Sequence, residues 1–174
     1  MKPFAAWLGA LAVLTVAATG CGSEKAASPG TKGLPAPVEE TRSAILAAAE
    51  SGEYDDLRAL VEPKVFLSDF GFGTGDPVQG WQGLGAKPLQ TMGALVGMSH
   101  SVRETNEGTL YQWPSYDPDS VAGDLSAEDR ELFLTIMSED ELANAFNPDY
   151  GYTAPRLGIL SDGTWWFFIR EAGP

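Results

Sequence analysis

The spacing of apolar residues along the chain predicts five helices. Apolar residues recur at i, i+3 and i+4, and the inward-facing sets are Ile45, Ala48 and Ala49; Leu57, Leu60 and Val61; Leu89, Met92, Leu95 and Val96; Leu132, Phe133 and Ile136; and Leu142 with Phe146. Gly52 and Pro63 are expected to end the first two helices, and Pro88 to begin the third.

Two serines are expected to begin the last two helices. Ser126 precedes Asp129, and Ser138 precedes Glu141, by the three positions that separate the two partners of a capping box. Aspartate is an imperfect partner at that third position, so the second pair fits the motif better than the first.

Apolar runs between and after these helices predict strands. We expect a short strand at Val65–Phe70, a loop over residues 71–77 and an extended segment at Ser101–Trp113 with a turn near Asn106. The clearest prediction is a final hairpin around Asp162-Gly163, because a two-residue Asp-Gly loop favours a type I′ turn.

The register of this hairpin makes both faces of its last strand apolar. It pairs Leu160 with Trp165, Ile159 with Trp166, and Gly158 with Phe167. Trp165, Phe167 and Ile169 then share one face, and Trp166 and Phe168 the other, so the strand is covered on both sides or lines a pocket. The pattern as a whole predicts a single α+β domain, with N-terminal helices packed on a small antiparallel sheet that ends in a β-hairpin.

The first residues have the pattern of an export signal. Lys2 is followed by the apolar run Phe4–Ala18, whose 15 residues suit a signal-peptide core. A membrane-spanning helix needs about 20 apolar residues. Small residues then lead to Cys21, the only cysteine of the chain.

This arrangement resembles the lipobox of bacterial lipoproteins. The resemblance implies cleavage after Gly20 and a lipid on Cys21, although Ala18 stands where these sequences usually have leucine. Several acyl chains would anchor the protein stably, whereas one chain binds a membrane only marginally. The alternative is a secreted protein with an unrelated free or buried thiol.

The domain prediction follows from this anchor. Residues 1–20 form a lipoprotein signal peptide, 21–37 a lipidated cysteine and a flexible tether rich in Gly, Pro, Ala and Ser, and 38–174 a globular domain. We expect an extracytoplasmic protein that is lipid-anchored to a bacterial membrane. That membrane would be the outer membrane in a Gram-negative cell, or the outer face of the plasma membrane in a Gram-positive cell.

Composition narrows the possible partners and cofactors. The 174 residues contain 24 acidic and 11 basic side chains, with a formal net charge of -13, which argues against nucleic-acid binding. One cysteine and one histidine are too few for a structural zinc site or an intrachain disulfide. We predict no cofactor and no metal.

Motifs for catalysis are incomplete. His100 lies in Gly97-Met98-Ser99-His100-Ser101, which lacks the second glycine of a Gly-x-Ser-x-Gly elbow and follows a predicted helix rather than a strand. The histidine is either a structural or surface residue, or a base that acts with a distant carboxylate. Residues 71–75 lack the spacing of a phosphate-binding loop, and residues 117–128 lack ligands of a calcium loop.

Aromatic residues offer the other candidate site. Trp81, Trp113, Trp165 and Trp166 either pack in the core or line a ligand pocket or partner surface. Pro114 ends a predicted strand and leaves aromatic side chains near its rim. The candidate contacts for a ligand or partner are His100, Tyr111, Trp113 and Tyr116.

The body of the chain resembles two groups of proteins. Two segments, Tyr111–Pro114 and Leu157–Phe168, are similar to Tyr-x-Trp-Pro and Gly-Ile-x-x-Asp-Gly-x-Trp-x-Phe-Phe in a group of uncharacterised bacterial secreted proteins. That resemblance implies a compartment and a fold. Ile45–Trp81 resembles the opening of NTF2-like domains, which implies a curved sheet around an apolar pocket, and the helical segment Ser126–Phe146 departs from that pattern.

These observations favour a membrane-anchored lipoprotein that binds an envelope protein or a small apolar ligand and has no enzymatic activity. The alternative is an NTF2-like pocket protein, either a carrier of a small apolar ligand or a small enzyme that uses His100.

Overall fold

The computed structural model describes residues 33–61, 66–68, 71–72, 75–116, 119–147, 149 and 151–170. The predicted signal peptide at residues 1–20, Cys21 and residues 22–32 of the predicted tether lie outside the described residues. Among the helices that are described, none is both long enough and apolar enough to cross a membrane.

Helices and strands are combined in one α+β domain, as the sequence predicts. The described helices are α1 (Ala36–Ser51), α2 (Pro77–Gln82), α3 (Lys87–Gly97), α4 (Ala127–Phe133) and α5 (Glu139–Asn144), with 3₁₀ helices at Tyr54–Leu57 and Ala122–Asp124. The described strands are β1 (Leu67–Ser68), β2 (Gly71–Phe72), β3 (Ser101–Thr105), β4 (Gly108–Trp113), β5 (Phe146–Asn147), β6 (Gly151–Tyr152), β7 (Arg156–Leu160) and β8 (Trp165–Ile169).

The main sheet is mixed rather than purely antiparallel. Its strand order is β2-β1-β8-β7-β4-β3, and β5 pairs with β6 in a separate two-stranded sheet. β1 runs parallel to β8, with Leu67 opposite Phe167, while the other pairs are antiparallel. The expected all-antiparallel sheet is wrong at this point, because a strand near residue 67 joins the strand at the chain's end.

α1 is confirmed, and its first half connects distant parts of the domain. It ends at Gly52, which adopts φ 79° and donates its backbone N–H to Ala48 O at 3.0 Å. The helix begins at Ala36, within the segment that the sequence assigns to the tether. Thr41 Oγ1 donates to Gly163 O at 2.6 Å, which ties the helix to the β7–β8 turn.

Arg42 ties α1 to α3. Its side chain is buried, and Nε donates to Val96 O at 2.8 Å while Nη1 contacts Glu39 Oε1 at 3.2 Å. The Val96 carbonyl belongs to the last turn of α3, where carbonyls have no partner within the helix. A buried arginine therefore satisfies an otherwise orphaned acceptor.

Two predictions for the segment between α1 and α3 are wrong. The second helix is a 3₁₀ helix rather than an α-helix, and the predicted loop at 71–77 contains a short strand and the start of α2. The chain forms a 3₁₀ turn at Tyr54–Leu57, in which Leu57 is buried. Gly71–Phe72 pairs with β1, and α2 begins at Pro77, where Asp76 Oδ1 accepts the N–H of Gln79 at 3.2 Å. α3, the β3–β4 pair and the serine caps of α4 and α5 are as expected.

The final hairpin forms, but its turn has three residues instead of two. Leu160 N donates to Thr164 O at 2.9 Å, so Ser161–Gly163 make the loop, and Gly163 adopts φ 92°. Ile159 consequently faces Trp165, and the predicted Leu160–Trp165 and Ile159–Trp166 pairs are wrong. A register shift between Gly158 and Ile159 restores the predicted Gly158–Phe167 pair.

The bulge changes which side chains share a face of β8. Trp165 and Phe168 pack in the main core, whereas Phe167 joins a second cluster with Leu110 and Leu160, so the predicted faces are wrong although both are apolar. Three of the four tryptophans considered as core or pocket residues are at most 1% exposed, namely Trp81, Trp113 and Trp165. These three therefore pack in the core. Trp166 is half-buried at the second cluster.

Candidate functional site

The candidate site is built around the first turn of α4. Ser126 caps this helix, and its Oγ accepts the backbone N–H of Asp129 at 3.0 Å. The cap fixes the first turn and turns the Asp129 side chain inward, where it is only 3% exposed. A buried carboxylate needs hydrogen-bond donors around it.

Three donors surround the Asp129 carboxylate. Ser99 donates its backbone N–H to Oδ1 at 3.0 Å and its hydroxyl to Oδ2 at 2.6 Å. Tyr116 donates its phenol to Oδ2 at 2.8 Å. These bonds join the end of α3, the segment after β4 and the start of α4 into one polar network.

Two further contacts complete the network. Ser115 Oγ lies 2.8 Å from Ser99 Oγ, and Ser126 N donates to the Tyr116 phenol oxygen at 3.2 Å. Burial raises the pKa of Tyr116 to about 12, and the neighbouring Asp129 carboxylate adds to the shift. The phenol therefore stays protonated and remains a hydrogen-bond donor at neutral pH.

A cleft of about 750 Å³ lies above this network. Its lining comes from three stretches of the chain, namely Gly97 and Ser99, Ser115 and Tyr116, and seven residues between Asp124 and Thr135. Leu132 supplies apolar surface, while Glu128 and Glu131 stand at the exposed rim. The volume is in the range that holds a small organic ligand.

The structure separates the four candidate residues that the sequence indicated. Tyr116 lines the cleft. His100 instead stacks on Trp113 and Tyr111, with ring centroids 5.4 Å and 6.0 Å apart. Trp113 is fully buried in the main core, and Tyr111 packs against that core.

The Ser99 hydroxyl of the cleft has a carboxylate as its hydrogen-bond acceptor. A serine becomes a nucleophile when an adjacent base takes its proton, and histidine is the usual base. Ser99 donates instead to a carboxylate that already accepts two other hydrogen bonds, which holds the hydroxyl in a fixed direction. Within the described residues, no group of three or more His, Cys, Asp or Glu side chains is arranged to hold a metal ion.

Sequence reasoning placed Ser99 in a failed nucleophile motif and Asp129 in an imperfect capping box, and it did not connect them. The available signal was the short side chain of Asp129, which is poorly suited to reach back to the helix cap and is free for a distant partner.

No protein-family model, curated protein or solved structure matches this chain.

Proposed function

We propose that this protein is a lipid-anchored, extracytoplasmic binding domain, and that the cleft beside α4 is its ligand site. The observation that carries the proposal is the cleft of about 750 Å³ above the buried Asp129 carboxylate and the three donors that hold it. A site whose side chains are already held by hydrogen bonds loses little conformational entropy when a ligand binds. The membrane is the partner through Cys21, and an envelope molecule with an apolar part is the ligand.

The anchor is supported by the sequence alone. The apolar run Phe4–Ala18 and the small residues before Cys21 resemble a lipoprotein signal. In this proposal the segment between Cys21 and α1 joins the lipid to the folded domain.

The alternative based on His100 has less support. A catalytic histidine should reach the atoms of a bound substrate, and His100 stacks on Trp113 and Tyr111 instead of lining the cleft. The binding function needs no such base, and it uses the network that Ser99, Tyr116 and Asp129 form.

A first experiment tests the anchor. The full-length chain is expressed in a bacterium with a radiolabelled fatty acid, beside the Cys21→Ser variant and a Ser23→Ala control. We expect label and membrane retention in the wild type and the control, and loss of both in Cys21→Ser. Equal labelling and retention of Cys21→Ser would refute lipidation at this residue.

A second experiment tests the cleft. Three probes share a phenylpropyl body and end in an ammonium, an alcohol or a carboxylate, and each is titrated into the full-length protein while amide NMR signals are followed. At least one should shift signals of residues 97–99, 115–116 and 124–135. Thr135→Trp, which places a large ring on the cleft wall, should abolish the shifts, whereas Glu107→Trp on the exposed β3–β4 turn should not. No shifts, or shifts scattered over the whole chain, would refute a ligand site here.

A further inference from the structure

We propose that the cleft selects ligands with a positively charged, hydrogen-bond-donating head group, such as an ammonium or guanidinium, on an apolar body. This inference rests on the proposed function, because it concerns the same cleft. It follows from the direction of the hydroxyl protons, from the charges of the lining and from the size of the space.

The hydroxyl protons of the cleft floor, formed by Ser99, Ser115 and Tyr116, are all used within the polar network. The single hydroxyl proton of Ser99 is donated to Asp129 Oδ2, so Ser99 Oγ can only accept in its 2.8 Å contact with Ser115 Oγ. Ser115 must therefore donate to Ser99, and Tyr116 donates to Asp129. With their protons used in this way, these hydroxyls can offer only lone pairs to a ligand in the cleft, so Ser99, Ser115 and Tyr116 form an acceptor floor.

Backbone donors near the floor are also in use. The N–H groups of Ser99, Ser126 and Asp129 point to Asp129 Oδ1, the Tyr116 phenol oxygen and Ser126 Oγ. The start of a helix commonly favours an anion because its N–H groups are free. At the start of α4 the N–H groups of Ser126 and Asp129 are bonded in this way, and the first turn carries the carboxylates of Glu128 and Asp129, which repel a bound anion. The Ser126 hydroxyl keeps a proton to donate, but it lies at the exposed rim.

The charges of the lining have one sign. Among the described residues that line the cleft, four are carboxylates and none is Lys, Arg or His. Arg130, the basic residue within α4, forms an ion pair with Glu139. An anionic head group would thus meet like charges and an acceptor floor, whereas a cationic donor would be attracted by the rim and bonded by the floor.

The space indicates an organic cation with an apolar body. A volume of about 750 Å³ is far larger than a simple ion requires. Leu132 forms part of one wall and lies close to Gly97, since a Cβ added to that glycine would be 3.5 Å from Leu132 Cδ1. Leu132 provides the contact surface for the apolar body.

The test compares the three phenylpropyl probes by isothermal titration calorimetry with the full-length protein. We expect the ammonium probe to bind at least fivefold more tightly than the alcohol, and the carboxylate probe more weakly than either. Raising the salt concentration should weaken the ammonium probe and leave the alcohol unchanged.

Two double variants that change the net charge equally test whether the carboxylates of the cleft cause the preference for the ammonium probe. Glu128→Gln combined with Glu131→Gln should weaken the ammonium probe about five- to tenfold, since exposed ion pairs contribute modestly, and leave the alcohol unchanged. Glu53→Gln combined with Glu107→Gln changes the net charge by the same amount at exposed positions outside the cleft, and it should leave both probes unchanged.

The outcomes separate this inference from the proposed function. If the alcohol or the carboxylate binds at the cleft as tightly as the ammonium, the cleft is a ligand site and the charge preference is refuted. If both double variants weaken the ammonium equally, net charge rather than the cleft is responsible, and the preference is again refuted. If no probe binds, the proposed ligand site is refuted together with the inference.

Discussion

Tyr116→Phe removes one oxygen atom from the cleft network and leaves the ring in place. That oxygen donates to the buried Asp129 carboxylate at 2.8 Å and accepts the Ser126 N–H at 3.2 Å. A matched control is Tyr152→Phe, because Tyr152 is equally buried and its phenol donates to the uncharged Pro155 carbonyl at 2.8 Å. The two substitutions thus differ in the charge of the acceptor and in the additional N–H of Ser126 that Tyr116→Phe leaves without its acceptor.

The expected loss of stability follows from that difference. Hydrogen bonds to charged groups contribute about 1.5–3 kcal/mol and those between neutral groups about 0.5–1.5 kcal/mol. Tyr116→Phe should therefore lower the free energy of unfolding by about 1.5–3 kcal/mol, and Tyr152→Phe by about half as much. With a urea dependence of about 1–3 kcal/mol per molar, the first variant should unfold at a urea concentration lower by roughly 1 M.

Urea unfolding followed by tryptophan fluorescence measures this loss, since Trp81, Trp113 and Trp165 are buried in the native core. An equal or smaller loss in Tyr116→Phe than in Tyr152→Phe would refute the view that the phenol stabilises a buried carboxylate.

The pH dependence provides a second readout for the same variant. The pKa of Tyr116 is raised from 10.0 to about 12 in the folded protein, first by burial and then by Asp129. Because the folded pKa is the higher one, the contribution is complete below pH 10 and is lost as the pH rises towards 12. The stability of Tyr116→Phe should thus decline less steeply over this range than that of the wild type, and parallel declines would contradict the assignment.

Three further predictions concern the fold. Gly158→Ala should destabilise the protein by about 1–3 kcal/mol in urea unfolding, because a Cβ would lie 2.4 Å from the Phe167 ring. Adding Phe167→Leu should recover part of the lost stability, and no recovery would contradict this contact. Arg42→Met should cost about 1–3 kcal/mol because it orphans a buried carbonyl at the end of α3, and a thermal or urea midpoint equal to that of the wild type would argue against this role. The backbone N–H and hydroxyl of Ser138 lower the pKa of Glu141 below 4.5, so stability should fall as acid protonates this carboxylate. Glu141→Gln should flatten the acid side of the plot of stability against pH, and an unchanged plot would contradict the role of Glu141 in capping α5.

Local signals explain the parts of the fold that the sequence predicted. α1 and α3 have apolar residues at helical spacing and a glycine or proline at one end, and both signals depend only on neighbours in the chain. The pairing of β1 with β8 joins Leu67 to Phe167, and nothing in a strand of two residues identifies a partner so far away. Non-local pairing of this kind is determined by packing of the whole domain.

The error in the last hairpin has a specific physical cause. Both a two-residue turn and a three-residue turn place Gly163 where φ is positive, so Asp162-Gly163 is compatible with either. The three-residue turn lets Ile159 face Trp165, and the bulge then brings Phe167 over Gly158. The aromatic residues of β8 thus reach their final faces through a bulge that the alternation pattern does not indicate.

The candidate site was only partly predictable because its contacts span the chain. Tyr116 was singled out for its position after a strand, and it does line the cleft. Its partner Asp129 is 13 residues away, and Ser99 is 30 residues from that carboxylate. Single residues of these types are common, and only the fold shows that their polar atoms meet.

The chain between Trp113 and Tyr116 explains why two neighbouring candidates have different environments. Trp113 ends β4 on the face that packs in the main core, and Gln112 lies on the opposite face of the strand. The buried amide of Gln112 donates to Tyr116 O at 3.1 Å and accepts from Arg103 Nη2 at 2.6 Å. Gln112 therefore holds the turn that directs the Tyr116 phenol to Asp129, and it acts as a positioning residue for a cleft that it does not line.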